Sequence, residues 1–226
     1  MEIINLNSDL YPVLSANISY AFNLVTLKEI WIFNCCEGCQ HILGSKQIKI
    51  NLISKIIITN LEISNLSGLM GLLSSLSLMN RKKGLHIYSY DNINKYLELS
   101  IKYSQTNFKY NIYFHILKTG LLINHNFYHI YAFKNKLKFE FFIIDKEKLG
   151  KFKLKKAKSF HIIAGPLYGK LKHGDSLIFP DGIILNGEHF TKNNLSGNKV
   201  LTKSHKYHKR DLVEISDQCN LTKSLF

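Results

Sequence analysis

Residues 52–79, LISKIIITNLEISNLSGLMGLLSSLSLM, constrain the fold of this chain more than any other stretch. LISKIIIT is a short apolar run rich in β-branched residues, which suits a strand buried on both faces of a sheet. Directly after it, Leu66, Leu69, Met70, Leu73 and Leu76 follow the three-and-four spacing of a helix, with Ser64 or Asn65 expected to cap its start. A buried strand that feeds a helix after a polar loop is the unit of a layered α/β protein. LHIYSY followed by DNINKYLELSIKYS repeats the unit, with Asp91 as the expected cap, and SYAFNLV and EIWIFNC read as further strands before it.

From 111 to 145 the pattern changes to hairpins, with NIYFHIL, FYHIYAF and KFEFFIID as short aromatic strands. The next stretch, EKLGKFKLKKAKSFHIIAGPLYGKLKHGDSL, carries a lysine every two or three residues, and Gly165-Pro166 and Gly169 are expected to break any regular element there. After Gly197 the chain is polar and bears histidines without periodicity, so 197–226 is expected to be a poorly ordered tail. At 226 residues and 46% hydrophobic, the chain has the size of one domain with a substantial core. We therefore expect a single domain over 1–226.

The formal charge of +14 points towards a polyanion or an anionic surface. Arg81 and Arg210 are the only arginines among 30 basic residues, and Ile, Asn, Lys, Leu, Phe and Tyr are abundant throughout, as AT-rich coding would give. The lysine surplus therefore carries two readings, nucleic-acid binding and coding bias. No apolar run reaches the roughly 18 residues of a membrane span, and the first twenty residues lack the basic and apolar segments of a targeting signal. No membrane association is expected. A gene read inside an organelle, the plastid, suits this composition; otherwise the cytoplasm is expected.

Four cysteines do not make a disulfide framework in a chain of this length. Cys36-x-x-Cys39 is half of a zinc pattern without its second half, so Cys35, Cys36 and Cys39 are read as buried structural thiols. His125 and His129 would share one face of a strand, but about 13 Å apart, too far to hold one metal.

Three stretches, in order, resemble ribonuclease Z, a tRNA 3′-processing endonuclease family of the metallo-β-lactamase fold. WIFNCCEGCQ resembles the family's D-C-G-E-G-T-Q at Cys35, Glu37, Gly38 and Gln40, with Asn34, Cys36 and Cys39 as departures. IIITNLEISNLSGLMGLLSSLSL keeps both flanks of the family's H-x-H-x-D-H segment. GPLYGKLKHG resembles G-P-x-x-G-x-L-x-x-G of its tRNA-gripping arm, at Gly165, Pro166, Gly169, Leu171 and Gly174. The resemblance implies an αββα sandwich, incomplete at the C-terminus, with 148–176 as a protruding arm. It further implies two zinc ions, tRNA as ligand, and a homodimer or a related subunit as partner.

The residues at the family's ligand positions differ. Its three histidines align with Asn60, Glu62 and Asn65, its aspartate with Ser64, and its fourth histidine with Asn135. SGNKVLTKSHKYHK lacks the later G-D-T. Neutral amides and a hydroxyl are poor zinc ligands, and without a metal no group here brings water from a pKa of about 15.7 towards 7. No catalytic or metal-binding residue is therefore assigned. The expectation is a non-catalytic relative that binds tRNA through Gly165, Pro166, Gly169, Lys170 and Lys172 in a lysine-rich arm that also holds Lys148, Lys151, Lys153, Lys155, Lys156 and Lys158. The alternative is an active tRNA-processing endonuclease with other ligands or with a site completed by a partner subunit; a third reading is a chain without a selected role.

Overall fold

The computed structural model describes residues 2–6, 19–25, 27–135, 138–147, 150–193, 197 and 199–202, and the backbone of 221–223. The chain divides into two compact units, Met1–Ile143 with Lys199–Phe226, and Ile144–Asn198.

In the first unit, β1 (Glu2–Asn5), β2 (Tyr20–Leu24) and β3 (Glu29–Phe33) are antiparallel neighbours. β4 (Ile53–Ile57), β5 (Leu85–Ser89) and β6 (Ile112–Ile116) then continue the sheet in parallel. Parallel neighbours need crossovers, and helices supply them. α1 (Cys39–Ser45) lies between β3 and β4, α2 (Ile63–Leu66) and α3 (Leu69–Leu78) between β4 and β5, and α4 (Ile93–Ser104) between β5 and β6. A second sheet has the order β13-β12-β9-β8-β7, built from β7 (Gly120–Asn124), β8 (Tyr128–Asn135), β9 (Lys138–Asp145), β12 (Lys199–Thr202) and β13 (Leu221–Lys223).

The alternation of side chains along β3 shows why the layers form. Ile30 and Ile32 join Ile53, Ile56, Leu85, Ile87 and the helix residues Leu43, Leu69, Leu72, Leu73, Leu76 and Leu97 in one core. Trp31 and Phe33 point to the other face, where Phe22, Ile57 and Tyr88 pack with Tyr128, Ile130, Phe139, Phe141 and Val200 of the second sheet. Helices, sheet and sheet are thus stacked in that order. Stacked and edge-on aromatic pairs, Tyr20 on Phe33 at 4.7 Å and Phe33 against Phe141 at 5.3 Å, fill the space between the sheets.

The second unit holds α5 (Leu154–Ser159), α6 (Pro166–His173), the antiparallel pair β10 (Leu177–Ile178) and β11 (Ile184–Leu185), and a 3-10 turn at Gly187–Phe190. Ala157, Ile162, Leu171, Leu185 and Phe190 form its small core.

Four local expectations are corrected. The helix after β4 is broken at Ser67-Gly68 into α2 and α3, and neither Ser64 nor Asn65 caps it: Glu62 precedes α2 and Gly68 precedes α3, neither with a side-chain cap bond. Asp91 is not the cap of α4 either. Asn92 takes that position at φ 77°, and the Asp91 carboxylate accepts from the Asn92 amide at 3.0 Å. β6 is no hairpin strand, because α4 carries the chain over to lie parallel beside β5. Gly169 does not interrupt the chain: α6 runs through it, since Pro166 fits the first helical turn and Leu171 anchors the helix in the core.

Most of 197–226 lies outside the described residues, as do Lys148, His205, His208 and Cys219. Lys199–Thr202 form β12, parallel to β13. No helix among the described residues is long and apolar enough to cross a membrane.

Candidate functional site

The carboxyl ends of β3, β4 and β5 lie side by side, which is where parallel α/β sheets place their sites. The loop from Ile58 to Gly68 leaves β4 there and is seated on the end of β3. Asn34, in the left-handed region at φ 57°, accepts with its side-chain oxygen from both the amide and the hydroxyl of Thr59, at 2.9 and 3.0 Å. The Cys35 amide donates to the Asn65 carbonyl at 2.8 Å, and the Gly68 amide donates to the Cys35 carbonyl at 3.0 Å. A Cβ on Gly68 would stand 1.9 Å from the Cys36 carbonyl oxygen, so only glycine permits this approach.

Asn60, Glu62, Ser64 and Asn65, which the resemblance aligns with ligand positions, differ in burial and partners on this scaffold. Asn60 and Asn65 are buried, and the Asn65 amide nitrogen donates to the Asn60 side-chain oxygen. The Asn65 side-chain oxygen is buried without a hydrogen-bond partner. Ser64 is exposed on α2. Glu62 is exposed too, and its carboxylate is 3.4 Å from the ammonium of Lys138 at the start of β9. Asn135, half-buried at the end of β8, completes the aligned set.

This donor set does not fit a zinc pair. Zinc takes imidazole, thiolate and carboxylate, whereas the loop offers two amides bonded to each other, one hydroxyl, and a carboxylate that already faces an ammonium. Among the described residues no group of three or more His, Cys, Asp or Glu side chains is arranged to hold a metal.

Lys138 was not singled out in the sequence, because its partner lies 76 positions earlier and only the pairing of distant elements joins them. Asn34 was noticed only as a departure from a motif, and its role in clamping Thr59 appears with the fold. Of the three thiols, Cys35 and Cys39 are buried, and the partly exposed Cys36 thiol donates to the Leu6 carbonyl at 3.3 Å.

The arm residues lie in the second unit. Gly165 precedes α6 in an extended conformation, Pro166 opens the helix, and Gly169 sits inside it with open space around its Cα. Lys170 and Lys172 are exposed in the last turn, where cations complement the helix dipole. Two other lysines are engaged within the unit: Lys153 and Lys156 each donate to the His189 carbonyl at 3.4 Å.

No family model matches the chain. It is 42% identical over 198 residues to the uncharacterized protein ycf56 of Pyropia yezoensis, a match that covers 86% of this chain and 74% of the relative. With the ribonuclease Z of Acaryochloris marina it shares 34% identity over 209 residues, covering 91% of this chain and 67% of that one. The fold is similar to that of the short form of human tRNase Z, with a TM-score of 0.56 and 23% identity over 66% of each chain. The fold is thus of the metallo-β-lactamase type, with its helix, sheet and sheet layers present among the described residues. With a named ribonuclease Z 34% identical over two thirds of its own length, the chain belongs to the ribonuclease Z family.

Proposed function

We propose that this chain is a ribonuclease Z relative that no longer cleaves RNA and instead binds tRNA through its lysine-rich second unit. The observation that carries the reading is the Glu62–Lys138 pair. Glu62 is the one carboxylate at the aligned ligand positions, and a lysine ammonium faces it where a metal cation would have to approach. The mutual bond of the Asn60 and Asn65 amides supports the same reading, since it occupies two further positions with each other. General-base help from a lone carboxylate contributes about 10²–10⁴-fold, far below what phosphodiester hydrolysis requires.

The partners follow from the family. The name of the solved human tRNase Z points to tRNA, and a second copy of the chain or a related subunit is the proposed protein partner. Similarity to ycf56, a type of gene carried by plastids, supports a plastid location.

The test is a cleavage assay on precursor tRNA with zinc and manganese added, beside metal analysis of the purified protein and a tRNA gel-shift. We expect metal far below one per chain, no cut, and a retarded tRNA band. A chelator-sensitive cut with stoichiometric metal would overturn the reading in favour of an active endonuclease, completed by other ligands or by a partner. An absence of both cut and shift would remove tRNA from the proposal.

A further inference from the structure

The segment that supports loop 58–68 also carries three thiols, and two of them depart from the family motif. Cys35 is buried, Cys36 is partly exposed, and Cys39 is buried at the start of α1. The Cys39 amide donates to the Cys36 carbonyl at 3.1 Å, which closes a four-residue turn over Glu37 and Gly38. Gly38 takes the positive φ of 68° at the turn's third position. A turn of this kind holds its first and fourth Cα atoms within about 7 Å, and a disulfide spans about 4.4–6.8 Å between Cα atoms. The two thiols are also near enough for each to shift the ionisation of the other.

We infer that Cys36 and Cys39 are a dithiol that closes to an intrachain disulfide by exchange with an external disulfide such as glutathione disulfide. Cys36 is the entry point because it is the accessible thiol of the three. Its thiolate attacks one sulfur of the external disulfide, a mixed disulfide forms, and the released thiolate takes up the proton that Cys36 gave. The Cys39 thiolate then attacks the Cys36 sulfur and expels the second external thiolate, which takes the Cys39 proton. The chain loses two protons and two electrons, and one external disulfide becomes two thiols.

Cys35 is excluded as the partner by its position. It adjoins Cys36 through a trans peptide, so their Cα atoms are about 3.8 Å apart, short of the roughly 4.4–6.8 Å that a disulfide spans. The neighbouring Cys39 thiol and then burial raise the Cys36 thiol above the usual range, and the neighbouring Cys35 thiol chiefly raises that of Cys39. Both therefore stay protonated at neutral pH. The pair is suited to responding slowly to a redox poise and not to catalysing exchange, for which a low thiol pKa is needed. Closure has a local consequence: the Cys36 thiol donates to the Leu6 carbonyl at 3.3 Å, and a disulfide sulfur has no proton to donate. Oxidation therefore unties the end of β1 from the turn on which loop 58–68 rests.

The test uses the full chain with Cys219→Ser, so that the remaining thiols are Cys35, Cys36 and Cys39. The protein is equilibrated in glutathione buffers of graded redox ratio, acid-quenched, denatured, alkylated and weighed, with fragmentation to locate any bridge. We expect three alkylations in reducing buffer and one in oxidising buffer, on Cys35, with fragments joining Cys36 to Cys39. Adding Cys39→Ser should stop the reaction at a glutathione adduct on Cys36. Three alkylations across the whole range, or a bridge from Cys35 to Cys39, would overturn the inference. If the Cys39→Ser protein loses its circular dichroism signal, the fragment map of the Cys219→Ser protein still decides.

Discussion

The amide pair Asn60–Asn65 shows how loop 58–68 accommodates two amides away from water. Both side chains are buried, and a buried amide costs free energy unless its polar atoms are matched. Donation from Asn65 to Asn60 matches two of them and leaves the Asn65 oxygen without a partner. Removing one member strands the other, so Asn65→Ala should destabilise the protein by about 1–3 kcal/mol, the cost of a buried group left unsatisfied. Asn60→Ala should cost a similar amount. The double substitution should cost less than the sum, by a coupling of at least about 0.5 kcal/mol. Urea unfolding of the four proteins measures this cycle, and strict additivity would mean that the two amides act independently. The Glu62–Lys138 pair has no comparable weight for stability, because Glu62 remains 48% exposed and pairs of that kind contribute about 0–1 kcal/mol. Under the proposed function the pair matters by occupying the carboxylate.

At the scale of elements, α3 is placed by how closely its first turn approaches the segment after β3. Gly68 has ordinary right-handed angles, φ −82° and ψ −7°, so its requirement for glycine is one of space and not of conformation. Gly71, one turn later, differs in kind: an added Cβ meets the end of the Gln40 side chain at 2.9 Å, which can swing away. Gly68→Ala should therefore lower stability by about 1–3 kcal/mol or more, as overpacking against backbone does. Gly71→Ala should be close to neutral, since the roughly 1 kcal/mol gain in helix propensity offsets the displacement of Gln40. Thermal unfolding of the two variants makes the comparison, and equal losses would contradict the close approach at Gly68.

The same elements show what the sequence can and cannot reveal. The strands β2 to β5 were legible because apolar and β-branched runs have few alternatives, and Leu69, Leu73 and Leu76 announced a helix. Its break at Ser67-Gly68 was not legible, since contact with Cys36 causes it and periodicity is blind to contacts. The caps failed for a related reason: Asn65 has a capping side chain, yet it serves Asn60 instead. The polar residues at 60–65 are visible in the sequence one by one, whereas the lysine that faces Glu62 appears only with β9 placed beside the loop.

For the whole molecule, the open question in the sequence was whether the charge of +14 reflects binding or coding bias, and the distribution of lysines gives a way to decide. Coding bias spreads lysine without regard to fold, so any exposed pair should then contribute equally to polyanion affinity. A binding unit concentrates the effect. Residues 144–198 hold ten of the 30 basic residues, and Lys170 and Lys172 stand exposed at the end of α6. Each phosphate contact made by a lysine releases counterions and adds nearly one unit to the slope of log affinity against log salt, slightly less on single strands. Replacing Lys170 and Lys172 with alanine should flatten that slope for tRNA by up to about two and weaken all tRNA sequences alike. Lys82 and Lys83, exposed in the first unit, provide the control with the same loss of charge. Their replacement should leave the slope nearly unchanged. Salt titrations of tRNA binding to the two double variants distinguish the cases: an equal flattening would assign the affinity to net charge alone, and with it the lysine surplus to coding bias.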